Sequence, residues 1–303
     1  MPSLSRCLLA AALAAPAVVS AQATVPISNV RDTTRFAPFR MIGNVFYVGS
    51  QGIASFLVTT PSGHILVDTG FRPTAEQVLQ NIATLGFKPA DVKIMLSTHA
   101  HFDHVAGHAL VKATTGAKVY ASAEDALLLE SGGAKDFRFG SEITFEPVKV
   151  DHILRDGEAV TLGGTTLVAH ITPGHTKGNT AWTMKVSEGG KTYDAIVAPS
   201  MSINPGVKLV NYAPYPEIAR DYQRSFEFLD TLKPDVFLGP HAGFFDMDAK
   251  AKQQRDGATT NPFIDPVGFK RYVAGYRKSF EAQLKAEGGC QGGGKPGCQA
   301  LIP

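Results

Sequence analysis

Short apolar runs bounded by Gly, Pro and Asp dominate the first half of the chain, and their periodicity predicts strands. Alternating or unbroken apolar stretches at Val45–Gly49, Ser55–Thr60 and Ile65–Asp68 read as three strands, with Pro61-Ser62-Gly63 as the turn between the last two. Lys93–Ser97 and Lys118–Ala121 are two more. Val78, Ile82 and Leu85 share one face at helical spacing, which predicts a helix over Thr74–Leu85; Val105–Thr115 and Glu124–Glu130 read the same way. Residues 24–43 carry no clear period and are expected to form an irregular N-terminal arm.

The second half repeats this order. Val148–Ile153, Ala159–Leu162, Thr166–Ile171, Thr180–Val186 and Ala195–Pro199 are short β-type runs between Gly- and Asp-rich turns. Pro216–Leu232 then resumes a helix, with proline tolerated in the first turn and Ile218, Tyr222, Phe226 and Leu229 as its apolar stripe. Val236–Gly239 is one more strand. Pro266–Ala286 closes the fold, with Phe269, Tyr272, Val273, Tyr276, Phe280 and Leu284 on one face. Both aromatic stripes are expected to be core. Strands then helices, twice over, suit two sheets stacked face to face with helices on the outsides.

Composition adds limits. A chain of 303 residues, 44% of them hydrophobic, can bury a large core. A net charge of +2 offers no basic footprint, so no nucleic-acid partner is expected. The N-terminus is more informative: a weakly positive start, an apolar run from Cys7 to Val19 and Ala21-Gln22-Ala23 form a secretory signal pattern. The expected division is a signal peptide over 1–23, one domain over 24–288 and a tail over 289–303, with the mature protein in the periplasm. The apolar run is too short to span a membrane, and no later stretch approaches that length. Cys290 and Cys298 lie far from any histidine and are expected to be bridged as a tail staple.

The chemistry concentrates in Thr98-His99-Ala100-His101-Phe102-Asp103-His104, directly after an apolar strand. On an extended segment His99 and His101 point to the same side and can share one ion. Where the chain turns into a helix near Asp103, that carboxylate and His104 point elsewhere, towards a second ion. More ligands are needed, and six histidines remain: His64, His108, His152, His170, His175 and His241. His175, in the turn Thr172-Pro173-Gly174-His175-Thr176, and His241, after Leu238-Gly239-Pro240, sit at strand ends entering loops and are favoured. His64 and His108 read as structural or solvated, and His152 and His170 as core or as supports behind the ligands. No G-x-S-x-G or S-x-x-K element is present, so a serine nucleophile is not expected. Structural zinc sites are normally closed by four protein ligands, whereas three per ion would leave open positions, which favours catalysis over mere metal storage.

The pattern His99-x-His101-x-Asp103-His104, then Pro173-Gly174-His175-Thr176, then Gly239-Pro240-His241, resembles the metallo-β-lactamase superfamily. The resemblance implies a single-domain, four-layer αββα sandwich with a dinuclear zinc site at the sheet edges. It implies one zinc on His99, His101 and His175, a second on Asp103, His104 and His241, and a hydroxide between them. Many dinuclear relatives carry a bridging Asp after the third-histidine turn; here Ala195–Ser202 offers no carboxylate. With His104 and the serines, the chain is most similar to the third subclass (B3-type) of class B β-lactamases. Ser200 and Ser202, in the loop up to Gly206, and Phe139 and Ile143, in the segment from Asp136, are then implied to contact substrate. The implied activity is opening of the lactam ring of β-lactam antibiotics by a monomeric enzyme. Asp103 would orient the zinc-bound hydroxide. A lactonase or other ester hydrolase on the same scaffold is the alternative. Asp68 is expected either to orient a ligand imidazole or to shape its turn. One departure stands out: members often join two positions by a disulfide where this chain has Pro234 and Phe269, a space Phe269 can fill apolarly.

Overall fold

A computed structural model of the protein describes residues 29–289. The signal pattern over 1–23 and the pair Cys290 and Cys298 lie outside the described residues.

Seven strands form the first sheet in the order β1 (Phe39–Ile42), β2 (Val45–Tyr47), β3 (Phe56–Thr60), β4 (Gly63–Val67), β5 (Val92–Leu96), β6 (Lys118–Ser122) and β7 (His152–Leu154). Five form the second, in the order β12 (Val236–Leu238), β11 (Lys191–Val197), β10 (Thr180–Glu188), β9 (Thr165–Ile171) and β8 (Ala159–Leu162). Successive side chains on a strand point to opposite faces. Phe56 and Val58, Ile65 and Val67, and Ile94 and Leu96 therefore join one core, while Leu57, Leu66 and Met95 join another. The second core lies under the helices α1 (Ala75–Thr84), α3 (His108–Thr115) and α4 (Ala123–Glu130). Because both faces are covered, these strands read as nearly unbroken apolar runs.

On the other side, α5 (Ile218–Thr231) and α7 (Pro266–Ala286) pack against each other and the second sheet. Ile218, Tyr222, Phe226 and Leu229 are all buried, each burial contributing about 1.5–3 kcal/mol. The result is the expected four-layer αββα sandwich. Phe269 is buried with its ring 5.7 Å from that of Phe237, so the position aligned to the missing disulfide is filled by an aromatic contact.

Several local expectations are corrected. The N-terminal arm contains β1, paired antiparallel with β2. The helix expected over Val105–Thr115 is two helices, α2 (Phe102–Val105) and α3. The break falls at Gly107, whose amide donates to the Gly70 carbonyl at 3.1 Å; a Cβ there would meet the Thr69 carbonyl at 2.8 Å. β7 is shorter than expected, and β11 begins four residues earlier, in polar sequence. Pro216 precedes α5 instead of lying within it. α6 (Met247–Arg255) has no apolar stripe and was not expected.

The architecture delivers loops to one end. β4 and β5 run parallel, as do β11 and β12, so the segments following these four strands emerge at common edges. The turn between β9 and β10 joins them: the Thr180 amide donates to the Thr98 carbonyl at 2.8 Å, and Trp182 Nε1 to the Ser97 carbonyl at 3.0 Å. Across the sandwich, Ala54 N–H donates to the Pro240 carbonyl at 2.8 Å and Ala242 N–H to the Gly52 carbonyl at 2.9 Å, clamping the loop that carries His241.

Candidate metal centre

His99 and His101 leave β5 on an extended backbone, and their rings lie 4.8 Å apart. The turn after β9 brings His175 to them, with its Nε2 3.0 Å from His101 Nδ1. One ligand atom from each of these three residues lies within 4.8 Å of the others. α2 then turns Asp103 and His104 aside, and His99, Asp103 and His104 make a second such group. His241 enters from the β12 end. Its Nε2 is 3.3 Å from His104 Nε2 and 3.7 Å from Asp103 Oδ2, while His104 Nε2 is 3.2 Å from the same oxygen.

These distances fit metal ligation. Tetrahedral zinc with bonds of about 2.0–2.1 Å spaces its nitrogen ligands roughly 3.3 Å apart. His99 Nε2 is buried without a hydrogen-bond partner, an arrangement that costs about 1–3 kcal/mol unless something else satisfies it. The outer nitrogens, by contrast, are held. His175 Nδ1 donates to the Ser202 carbonyl at 2.7 Å, which leaves Nε2 as a lone-pair donor. His104 Nδ1 lies 3.3 Å from Asp68 Oδ2, and His99 Nδ1 lies 3.2 Å from Thr98 Oγ1.

Asp68 answers both roles open to it. It adopts φ 59°, an uncommon left-handed conformation for a non-glycine residue. Its carboxylate accepts from the Thr98 amide and from Thr98 Oγ1, each at 2.8 Å, while facing His104.

Burial, together with the neighbouring imidazoles, pushes His99 well below the ordinary histidine range, and burial does the same to His175. His241 is held down to about 4 by burial and by the charge on His104. All three are neutral, ligand-competent imidazoles at pH 7. Burial opposes charge on the remaining pair, yet Asp103 and His104 override it for each other: Asp103 falls below the carboxylate range and His104 rises to about 10. A cation bound there would replace the His104 proton.

The other histidines stay outside these groups. His64 packs on Phe87 at 5.0 Å, and His170 donates to or accepts from Thr183 Oγ1 at 2.8 Å. His108 is buried against Thr69 Oγ1 at 2.8 Å and is not solvated. His152 is exposed beside Glu158, so it is neither core nor a support for the ligands.

The groups open into a cleft of 670 Å³ whose walls include Phe139, Ser202, His241 and Tyr276. A larger groove of 1230 Å³ elsewhere contains His170 but none of the converging ligands, so the chemistry selects the smaller cleft. Ser202 lines the wall, whereas Ser200 is fully buried behind it, with its Oγ 3.3 Å from Ser202 Oγ. Phe139 stands edge-on to His101 at 5.1 Å, and Ile143 follows the turn beyond it, half-buried and off the lining.

Sequence reasoning missed four contributors. Arg31 and Asp32, from the arm, reach the cleft, and Tyr276 of the α7 stripe lines it as well as packing against the core. Asp125 accepts from Thr176 Oγ1 at 3.1 Å and from the Ala100 amide, bracing both histidine loops from beneath, and burial lifts it to about 7. Its signal was the S-x-x-D capping spacing Ser122 to Asp125, which reads only as a helix start.

Comparison with known proteins places this geometry. The model of the metallo-beta-lactamase superfamily matches residues 49–241. The native FEZ-1 metallo-beta-lactamase from Legionella gormanii is 44% identical with a TM-score of 0.82, over 84% of this chain and 98% of that one. BJP-1, a subclass B3 metallo-beta-lactamase of Bradyrhizobium japonicum, is 40% identical with a TM-score of 0.80, over 85% and 97%. A hydroxyacylglutathione hydrolase from Fuscovulum blasticum is 32% identical over 126 residues, and the match spans only 41% of that protein. The segment matched by the family model, residues 49–241, runs from just after β2 to His241 and contains all six converging residues. The chain thus belongs to the metallo-beta-lactamase superfamily, with subclass B3 enzymes among its structural relatives.

Proposed function

We propose that this protein is a zinc-dependent β-lactamase that holds two zinc ions per chain. The observation that carries the reading is the convergence of His99, His101 and His175 beside Asp103, His104 and His241 at one cleft, on a fold at 44% identity to a metallo-beta-lactamase over nearly its whole length. His99, His101 and His175 would hold one ion, and Asp103, His104 and His241 the other. Bound zinc supplies Lewis acidity and lowers the pKa of coordinated water to about 7. Asp103, which lines the cleft, orients the attacking water through its carboxylate while serving as a ligand. Ser202 offers a hydroxyl at the wall for the substrate carboxylate, and Ser200 supports Ser202 from behind. Phe139 gives the opposite wall an apolar face. The signal pattern over 1–23 supports a periplasmic location for this reading.

The hydroxyacylglutathione hydrolase match favours a second reading, a lactonase or other ester hydrolase on the same scaffold. Against it, the segment Ala198-Pro199-Ser200 after β11 carries no carboxylate to bridge two ions. Hydrolysis of a carbapenem, a homoserine lactone and a glutathione thioester, each with and without a chelator, separates the two. Chelator-sensitive turnover of the carbapenem, restored by Zn²⁺, is the expected result. Turnover of the lactone or thioester alone would select the second reading, and β-lactam turnover by metal-free protein would end the first.

A further inference from the structure

The segment from Asp136 to Gly140 is tied to the metal centre at one end and to the opposite wall of the cleft at the other. Asp136 is buried, and its two carboxylate oxygens do different work. Oδ1 accepts the amides of Arg138 and Phe139, both at 2.7 Å, which folds the segment into a tight turn. Oδ2 points the other way and lies 3.4 Å from His101 Nε2. Each of these two buried atoms is otherwise without a hydrogen-bond partner, so each is placed for the other. His101 turns its Nδ1 towards His175, which leaves Nε2 as the protonated nitrogen facing the carboxylate.

The same turn sets the wall. Phe139 stands 5.1 Å from the His101 ring and 5.4 Å from Phe102. Arg138 lies over the Phe139 ring at 5.1 Å, and its Nε donates to the Pro205 carbonyl across the cleft at 2.7 Å. One rigid turn thus spans from a metal-ligating imidazole to the Ser200–Gly206 loop.

The geometry points to Asp136 as a positioning residue with two separable roles, supporting zinc at the three-histidine group through Oδ2 and folding the substrate wall through Oδ1, with Arg138 as the latch that holds the wall alone. This rests on the zinc hydrolase reading, and its substitutions separate the two functions of the turn. In Asp136→Asn the amide oxygen still accepts both backbone N–H groups, but an N–H₂ faces the His101 N–H, so the turn survives and the histidine contact does not. Arg138→Ala releases the clasp on Pro205 and leaves His101 untouched.

Zinc affinity is measured on the full-chain protein by competition with a chromophoric chelator, and KM on a carbapenem. Loss of a support of this kind weakens metal binding by about 10–100-fold, so Asp136→Asn should bind zinc that much more weakly with KM near wild type. Arg138→Ala should keep wild-type zinc affinity and raise KM by about 2–10-fold, the worth of one solvent-exposed hydrogen bond. Wild-type zinc affinity in Asp136→Asn, or an equal zinc loss in Arg138→Ala, overturns this assignment. An intact zinc effect in a protein that turns over no β-lactam would leave the assignment standing and remove the β-lactamase reading instead.

Discussion

His241 sets its Nε2 3.3 Å from His104 Nε2 and 3.7 Å from Asp103 Oδ2, where the proposed second zinc ion would take it as a ligand. Replacing it should therefore remove one ion and leave the three-histidine group intact. Metal analysis of His241→Ala is expected to fall from two zinc ions per chain towards one; an unchanged count would show that another residue closes the group. Ser202 poses a subtler case, because its carbonyl, not its hydroxyl, makes the short contact to His175 Nδ1 at 2.7 Å. Ser202→Ala keeps that carbonyl and deletes the hydroxyl offered to the substrate carboxylate, a hydroxyl that also lies 3.3 Å from both His175 Nδ1 and Ser200 Oγ. A hydrogen bond to a charged group contributes about 1.5–3 kcal/mol, so KM should rise roughly 10–150-fold with kcat nearly unchanged. A wild-type KM in protein that retains its zinc would confine both serines to shaping the loop, the role that fully buried Ser200 already has.

At the scale of elements, the centre depends on where short loops are allowed to approach their neighbours. Gly174 precedes His175 with φ at 147°, and a Cβ there would lie 2.7 Å from the Tyr222 ring on α5. Tyr222 is itself fixed by donating to the Ser202 carbonyl at 2.7 Å, so it cannot move without disturbing the His175 support. Gly174→Ala should cost about 1–3 kcal/mol of stability and weaken zinc binding at the three-histidine group. Thermal unfolding and chelator competition check both halves, and wild-type values in both would show that the loop has room to spare. The helices and most strands of this framework were legible in the sequence because each carries its own period. α6 and the polar start of β11 were not, since what fixes them is pairing and packing with distant residues, not any pattern of their own. Tyr276 shares the α7 stripe yet also lines the cleft, a distinction that spacing alone does not make.

For the whole molecule, the metal-free protein should show a pH optimum of stability set by buried histidines. His99, His108, His175 and His241 are all held below their ordinary value of 6.5, His108 to about 3 and His241 to about 4, with burial as the main cause. Each binds a proton more readily when unfolded, so stability falls as pH drops below 6.5. Two groups oppose this. Asp125, raised by burial to about 7, favours the folded state at low pH, with the benefit lost on rising through 7. His104, raised to about 10 against its burial by Asp103, contributes fully below 6.5 and loses that contribution as pH rises towards 10. Four imidazoles outweigh the single carboxyl on the acid side, where its window from 3.8 to about 7 lies, while above about 7 His104 alone lowers stability. The Tm of chelated protein should therefore peak near pH 6.5–7 and fall more steeply towards acid. A Tm that rises steadily from pH 5 to pH 9 would contradict these protonation states.

The sequence by itself determined the candidate ligands that are close along the chain. His99, His101, Asp103 and His104 lie within one strand end and one helical turn, where period-two alternation and the start of a helix dictate where each side chain goes. It also determined the sandwich, through runs whose alternating residues must enter two separate cores. It favoured His175 and His241 as strand-end histidines, but only the tertiary structure brought them to the centre. Only that structure decided that His108 is buried and His152 exposed. Only it placed the carboxylates of Asp68, Asp125 and Asp136 behind the ligand loops. Those placements depend on contacts between residues remote in sequence, set by how two sheets stack, and a buried carboxylate in a loop leaves no periodic trace by which it could be read beforehand.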